Sequence, residues 1–355
     1  MAPCSINDDA SSHNKSNEVT TETEPNELDT KKKEVHALTP CTASLALLSA
    51  IVGGGIVGIP YAMFHTGIPL GIVLNVGIAV MCYYTGTLYL RVKDMSPTYV
   101  ESLFELGFVT MGTKSIYVLA GIIVISGVGC TMIYFIVFSN ISASLAQTIQ
   151  DEGTDNIMTD RTIYVLSLAV LMLPLCLKKM LKEMKVVSII LFASIAVFIG
   201  LFIIQLCTLG SIENHDKNYS RYYHVDFGLE LITGFNIIVL AYAYHNSFFP
   251  TYNSLAEKSY KNGMKFVAIA SALTVGIYVS LGILSIYTFG SEIGPSIIAN
   301  VDEEQNVFSY IIRVSFLLLL ACHIPYIFFP TKESFLIIID EAQNLSMTKA
   351  LQYKI

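Results

Sequence analysis

The chain has 355 residues, of which 53% are hydrophobic and only 14% are charged, and its formal net charge is −7. This balance excludes a soluble multidomain protein and indicates an all-α polytopic membrane protein surrounded by a lipid bilayer. Seven cysteines without a CxxC pair favour neither a disulfide framework nor a zinc site, so no cofactor or metal is expected. The apolar segments contain no paired carboxylates and no HExxH motif, so neither an enzyme nor a nucleic-acid partner is expected.

Residues 1–36 form a polar N-terminal region, rich in Asp, Glu, Asn, Ser, Thr and Lys, with almost no large apolar side chains. Such a composition cannot offset the entropy of ordering, so it predicts a disordered cytosolic tail. The region lacks a basic stretch followed by an apolar core and is therefore not a signal peptide. The first span is expected to direct insertion.

Eight apolar segments follow the tail and predict about eight transmembrane helices, since a helix needs about 20 residues to cross a bilayer. They place a transmembrane domain at residues 37–332. Residues 333–355 contain one short apolar run and are expected to form a cytosolic C-terminal segment. The approximate limits of the eight segments are 38–63, 67–90, 116–149, 162–177, 185–209, 229–250, 264–289 and 307–330.

The distribution of Lys and Arg in the loops predicts the orientation of the chain. Loops after even-numbered segments hold ten of these residues, and loops after odd-numbered segments hold three. Because positive charge favours the cytosolic side, both termini are expected in the cytosol. The sequon at Asn218 then lies on the opposite side, where glycosylation is possible.

The first apolar segment contains a stretch poorly suited to a helix, Gly53–Pro60. Three consecutive glycines, a fourth at Gly58 and the proline reduce helix propensity and remove a backbone donor. In a bilayer, unpaired backbone is tolerated only inside protein or around a cavity, so one interpretation is a broken helix that binds a ligand. Gly54 and Gly58 also form a small-xxx-small pair, which is typical of close helix packing without any ligand. On this stretch alone both interpretations stay open.

The sixth segment is the second interrupted one, with Gly234 near its start, a polar cluster from His245 to Ser247, and Pro250 near its end. It stands five segments after the first. Because five is odd, a repeated five-helix unit would cross the membrane in the opposite direction, which defines an inverted repeat. The predicted repeats are residues 38–209 and, incomplete, 229–330.

Two histidines and two cations within or beside the spans need an interpretation. For His245 we favour a structural role with a backbone carbonyl as partner over direct substrate contact. For His323, beside the helix-distorting Pro325, both roles stay open. Arg313 and Lys332 are most simply explained as snorkelling end charges.

Three motifs in chain order resemble the amino acid/auxin permease family, in its branch of neutral and vacuolar amino acid transporters. The stretch Ala50–Met63 is similar to the family's first-helix signature, a glycine cluster followed by Leu/Ile-Pro-Tyr-Ala. The stretch Ala241–Tyr252 places His, Pro and Tyr at the spacing of the family's sixth helix. The stretch Ile324–Glu333 resembles its Pro…Phe-Pro…Arg/Lys ending. The similarity extends over about residues 38–340.

This resemblance implies a fold of the bacterial leucine transporter type, in which helices one to five and six to ten are inverted repeats. It implies secondary active transport of an amino acid, most simply a neutral one, by alternating access around unwound helices one and six. In family members, glycine amides at the first break hold the substrate carboxylate and carbonyls at the second hold its ammonium group. The implied substrate site comprises Gly53, Gly54, Gly55, Ile56, Leu240, Ala241, Tyr242 and His245.

The residues around the implied ion site differ from those of sodium-coupled members. Those members carry an Asn four residues before the first glycine, where this chain has Ser49, and a Thr in helix eight, where it has Ala321-Cys322-His323. Because a hard cation prefers oxygen ligands, this favours proton coupling or uniport over sodium coupling. The predicted ion-coupling residues are Ser49, Val52 and His323.

The family has eleven spans, and the last three are absent from the predicted segments. The chain is then a fragment, a protein that needs a partner chain to complete its scaffold, or a non-transporting subunit that binds or senses amino acids. The sequence fits a plasma membrane and a vacuolar or lysosome-like membrane equally well.

Overall fold

The computed structural model describes residues 38–96, 100–149, 160–177, 185–209, 222–225, 227–302 and 307–354. The predicted tail at 1–36 and the sequon at Asn218 lie outside these ranges. The described helices are α1 (Pro40–Ile51), α2 (Ile59–Thr66), α3 (Ile68–Met95), α4 (Leu103–Met111), α5 (Lys114–Ile149), α6 (Arg161–Cys176), α7 (Lys185–Leu209), α8 (Leu229–Ala241), α9 (His245–Asn253), α10 (Tyr260–Phe289), α11 (Ile297–Asp302), α12 (Val307–Asn344) and α13 (Ser346–Lys354). Short 3-10 helices cover Gly54–Gly58 and Gly290–Glu292.

The prediction of an all-α membrane protein is confirmed. Four unbroken helices, α3, α5, α10 and α12, are long and apolar enough to cross a membrane, and the bent pair α1 and α2 can form a fifth span. Of the remaining predicted segments, the fourth appears as the shorter apolar helix α6, and the fifth as α7, in which Ala193–Thr208 forms a shorter apolar helix. The sixth appears as the broken pair α8 and α9. The count of eight spans and the inverted repeat stay predictions.

The first predicted break lies within the glycine cluster. Helix α1 ends at Ile51, and Gly53 adopts φ −114° and ψ −141° before the 3-10 helix begins. The two halves meet at an angle of 63°. Pro60 stands in the first turn of α2, where its missing N–H costs nothing because that group has no helical acceptor. Glycine therefore ends one half-helix and proline starts the other.

The second break lies at Tyr242–Tyr244, between α8 and α9. It coincides with neither Gly234, which is inside α8, nor Pro250, which is inside α9. The hydroxyl of Tyr242 donates to Asn75 Oδ1 at 3.1 Å. The hydroxyl of Tyr244 donates to a carbonyl of α3 at 2.6 Å. Side-chain hydrogen bonds to α3 therefore hold this break open.

Most contacts among the described helices fall into two groups, which α7 joins through its contacts with α1 and α10. In the first group, α10 packs against α1, α2 and α3, while α8 packs against α2 and α9 against α1. In the second group, α12 packs against α5, α6 and α7. Both broken helices belong to the first group, and the breaks face α5 and α12 of the second. The candidate site lies at this boundary.

Helix α12 continues well beyond the eighth apolar segment, which ends near residue 330, and it contains Pro325 and Pro330 within its length. Leu345 then adopts φ 48° between α12 and α13. The fully buried Glu341 accepts hydrogen bonds from the N–H groups of Met347 and Thr348 and from the Thr348 hydroxyl. Part of the predicted cytosolic segment at 333–355 is thus helix joined to α12, and its position relative to the membrane stays a prediction.

Replacing Glu341 with Ala is expected to unfold α13 locally, because two N–H groups at the start of that helix lose their acceptor. The expected cost is roughly 1–3 kcal/mol. Hydrogen exchange of residues 346–354 in the full chain would measure it. Gln343→Ala, an exposed change in the same turn, is the control and is expected to leave the exchange unchanged. Equal exchange in the two variants would contradict the capping role of Glu341.

Candidate functional site

A cavity of about 550 Å³ lies at both helix breaks, bounded on its far side by α5 and α12. The first broken helix contributes Ile51 and Gly55 to the wall, and the second contributes Ala241 and His245. Its volume falls in the range of about 300–1,000 Å³ that is typical of small-molecule sites. The cavity therefore brings together the two stretches that the sequence singled out, although nearly 190 residues separate them.

Gly53 lies in contact with the far wall of the site. A Cβ atom at this position would lie 2.5 Å from His323 Cε1 and 2.7 Å from Tyr134 Oη. Both distances are shorter than any ordinary carbon contact. The absence of a side chain at Gly53 therefore allows the imidazole of α12 and the phenol of α5 to reach the first break.

His323, one of the three predicted ion-coupling residues, lies beside the first break. Its side chain is 1% exposed and lines the cavity. The ring stands edge-on to Tyr134 at 5.4 Å and to Tyr326 at 6.2 Å between centroids. Within the described part of the chain, its Nδ1 atom has no hydrogen-bond partner. A buried polar atom of this kind beside a cavity is a candidate contact for a ligand or a proton.

The carbonyl groups at the second break already have partners. The Leu240 carbonyl accepts from the Ala243 N–H at 3.1 Å, and the Ala241 carbonyl accepts from the Tyr278 hydroxyl at 3.1 Å. The Tyr242 carbonyl faces Cys82 Sγ at 3.8 Å. Because a carbonyl oxygen has two lone pairs, each can still accept a second hydrogen bond.

His245 lines the cavity, and its partner differs from the predicted backbone carbonyl. Its Nε2 atom lies 2.9 Å from the Thr85 hydroxyl of α3. The ring stacks on Tyr244 with 4.9 Å between centroids. The described partner is thus a side-chain hydroxyl, because α3 approaches the break closely enough to reach the ring, and the structural role of His245 stays a prediction.

Besides Gly53, four predicted site residues among those described lie in the protein interior and do not line the cavity. Ile56, Val52 and Tyr242 are 2% exposed or less. The buried Ser49 donates its hydroxyl hydrogen to the Leu45 carbonyl within its own helix at 3.0 Å. These residues lie behind the cavity wall and shape the break.

The interpretation of Arg313 as a snorkelling end charge is wrong. Its side chain is 0% exposed, and its guanidinium carbon lies 4.9 Å from the centre of the Tyr310 ring. It lines a second cavity of about 130 Å³ together with Asn140 and Ser144. Lys332 also has a specific contact, because its Nζ donates to the Cys176 carbonyl at 2.8 Å and so caps the C-terminus of α6.

Sequence reasoning missed the wall formed by α5. Ser126, Cys130 and Tyr134 recur every four residues and line the cavity on one face of this helix. On α12, His323 and Thr331 share a face in the same way. The signal was present in the third segment as small and polar residues at helical spacing, but nothing in the sequence indicated which face met the breaks.

Two broken helices meet at one cavity and pack among long apolar helices, an arrangement typical of membrane transporters with interrupted spans. Residues 36–350 match the family described as transmembrane amino acid transporter protein. The chain belongs to this family, and the resemblance inferred from the three motifs is confirmed.

Curated relatives agree with the family. The chain is 27% identical to vacuolar amino acid transporter 7 of Saccharomyces cerevisiae over 266 residues, which are 72% of this chain and 51% of that protein. It is 23% identical to vacuolar amino acid transporter 5 of the same yeast over 316 residues, 86% of this chain and 68% of that protein. It is 24% identical to putative sodium-coupled neutral amino acid transporter 11 of Danio rerio over 258 residues, 70% of this chain and 56% of that protein. The chain thus spans about half the length of the first of these relatives.

Replacing Gly53 with Ala is expected to destabilise the protein by roughly 1–3 kcal/mol, because the new methyl group overlaps the imidazole of His323. Thermal unfolding in detergent would measure the loss. The double variant Gly53→Ala/His323→Ala is expected to recover part of it, since the overlapping ring is gone.

Gly77→Ala on α3 is the matched control, because a Cβ there meets no atom within 4 Å. It is expected to be neutral or slightly stabilising, since Ala is the better helix former. Unchanged stability of Gly53→Ala would refute the close contact between the first break and α12.

Proposed function

We propose that this chain binds an amino acid between the two helix breaks and carries it across a membrane by alternating access. The observation that supports the proposal is the single cavity touched by Ile51 and Gly55 of the first broken helix and by Ala241 and His245 of the second. Membership of an amino acid transporter family supplies the substrate class. A transporter rather than an enzyme also fits that membership.

The two ends of an amino acid match the two kinds of helix end in the cavity. Amides at the start of a helix attract anions, so we assign the substrate carboxylate to the glycine amides of the first break. The Gly53 N–H already donates to the Ile51 carbonyl at 2.9 Å, which leaves the contact to Gly54 and Gly55. We assign the ammonium group to the second lone pairs of the Leu240 and Ala241 carbonyls, because both residues line the cavity.

The rest of the cavity wall is mainly apolar, which favours a neutral side chain. Ile133 and Val137 of α5, Ile237 of α8 and Ile327 of α12 face the space beyond the backbone groups. A charged side chain would lose its hydration there without a compensating partner. We therefore propose a neutral amino acid as substrate.

Proton coupling or uniport is proposed in preference to sodium coupling. Ser49 offers one hydroxyl oxygen where sodium-coupled members of the family have an amide, and His323 offers a nitrogen ligand that suits a hard cation poorly. His323 is the proposed proton carrier, because its unbonded Nδ1 faces the first break.

The protein is an integral membrane protein, and its topology is proposed from the loop charges. Both termini are placed in the cytosol by the excess of Lys and Arg after even-numbered segments. The names of two relatives include the word vacuolar and that of a third includes sodium-coupled. A vacuolar or lysosome-like membrane, or the plasma membrane, is the proposed location, and a partner chain that completes the scaffold is a further proposal.

Purified chain reconstituted in proteoliposomes is expected to take up labelled neutral amino acids above the level of empty liposomes. Ligand-induced thermal stabilisation should accompany uptake, since substrate binds the folded state. Stabilisation without uptake would replace the transport proposal with a binding or sensing role. The absence of both uptake and stabilisation would refute a functional amino acid site in this chain.

Replacing sodium with choline is expected to leave uptake undiminished, whereas an inward proton gradient is expected to stimulate it. His323→Gln keeps a polar side chain of similar reach but cannot carry a proton near neutral pH. This variant is expected to retain amino acid exchange and to lose the stimulation by the gradient. Strict sodium dependence of the wild type, or full gradient stimulation of the variant, would rule out the proposed coupling.

A further inference from the structure

The last carbonyl groups of α1 and α8 meet at one hydroxyl group. Tyr278 Oη on α10 lies 3.3 Å from the Ile51 carbonyl oxygen and 3.1 Å from the Ala241 carbonyl oxygen. Ile51 is the last residue of α1 and Ala241 is the last residue of α8. One side chain therefore contacts the C-terminal end of the first half of each broken helix.

Tyr278 lies behind the cavity wall and does not line the cavity itself. Its side chain is 0% exposed, while Ile51 and Ala241, whose carbonyls it binds, line the cavity. Its ring stands edge-on to that of Tyr242 with 5.3 Å between centroids, which fixes the phenol against the second break. The hydroxyl is thus a rigid group placed where the two breaks converge.

Two helix C-termini that converge on one point create an environment suited to a cation. Each terminus carries a partial negative charge of about half an electron, and its last carbonyls have no acceptor role left within the helix. In transporters with broken helices, such ends commonly coordinate a coupling cation. In this chain the neutral hydroxyl group of Tyr278 lies at the point where the two helix C-termini converge.

We infer that the Tyr278 hydroxyl replaces a cation as the group that joins the two helix breaks, and that Tyr278 is a positioning residue for the site. The role in substrate binding rests on the proposed function, because Ala241 carries the carbonyl assigned to the ammonium group. The connection between the two breaks does not rest on it. A hydroxyl cannot leave with the substrate or respond to an ion gradient, so the breaks stay joined without sodium.

Hydrogen exchange of the full chain in lipid nanodiscs tests the connection without any substrate. Tyr278→Phe keeps the ring and removes the hydroxyl. In sodium-free buffer it is expected to speed exchange about tenfold in both segments 48–56 and 239–247, because the carbonyls of both breaks share the one O–H proton of Tyr278 and both lose it. Unchanged exchange, or a change at one break only, would overturn the inference.

Two matched Tyr→Phe variants separate this effect from a general loss of stability. Tyr242→Phe removes the hydrogen bond to Asn75 Oδ1 and is expected to speed exchange in 239–247 alone. Tyr223→Phe removes a surface contact with the Tyr287 hydroxyl at 2.9 Å and is expected to change neither segment. Faster exchange at both breaks in either control would remove the special role of Tyr278.

The proposal that the Tyr278 hydroxyl replaces a cation is tested by repeating the hydrogen-exchange measurement in sodium chloride and in choline chloride. Wild-type exchange at both breaks is expected to be the same in the two salts, while sodium is expected to restore protection in Tyr278→Ala, which removes the ring as well as the hydroxyl and so leaves room for the ion between the two carbonyls. Sodium-dependent protection of the wild type, or a sodium-insensitive variant, would overturn the assignment of this point as a cation position.

Transport measurements then connect the residue to the proposed function. If the wild type takes up amino acid, Tyr278→Phe is expected to raise KM about tenfold with a smaller change in kcat, because the ammonium acceptor is less well placed. Tyr223→Phe is expected to leave both unchanged. Absence of uptake by the wild type would count against the proposed function alone, since the exchange data stand without it. An unchanged KM in an active Tyr278→Phe would overturn the positioning role.

Discussion

Backbone groups that leave a helix inside a membrane must find partners within the protein, and the structure around the site follows from that requirement. Each unpaired group would cost several kcal/mol in hydrocarbon. At the first break the Gly53 N–H donates to the Ile51 carbonyl, which also accepts from Tyr278. At the second break the Tyr278 hydroxyl donates to the Ala241 carbonyl. The neighbouring helices are therefore placed where their side chains can reach the interrupted backbone.

Helix α3 supports the second break along one of its faces. Asn75, Cys82 and Thr85 contact in turn Tyr242, Tyr244 and His245. Their spacing of seven and three residues returns to the same side of a helix. A Cβ at Gly86 of this helix would lie 2.8 Å from the Tyr244 hydroxyl, so a glycine there is needed for the close approach. The break and its supporting helix thus fit each other through named side chains.

The first break was predictable from local sequence and the second only in part. Three glycines and a proline disfavour a helix wherever they occur, so their position alone placed the first break. The stretch Leu240–Ala243 has no such signal. Its backbone leaves the helix because the Tyr242 and Tyr244 hydroxyls bind α3, and such contacts depend on how the helices pack.

The wrong interpretation of Arg313 has the same cause, because its surroundings depend on how the helices pack. Arg313 follows the start of an apolar segment by a few residues, and by sequence position alone an end charge was the simplest interpretation. Whether an arginine near a helix end reaches water depends on what covers it, and here α11 and α5 line the cavity into which it projects. The face of α5 that meets the breaks was hidden for the same reason, since the periodicity of a helix does not reveal its neighbour.

Contacts within the first group of helices differ in kind from the contact across the boundary at the first break. Inside the group, tyrosine hydroxyls bind backbone carbonyls and so fix the broken helices to α3 and α10. Across the boundary, the His323 ring lies on the bare backbone of Gly53, and its Nδ1 forms no hydrogen bond to any described residue. Van der Waals contact with a glycine can be lost and regained without leaving a hydrogen-bonding group unpaired. The contact of His323 with the first break is therefore one of shape, whereas hydrogen bonds join the broken helices to α3 and α10.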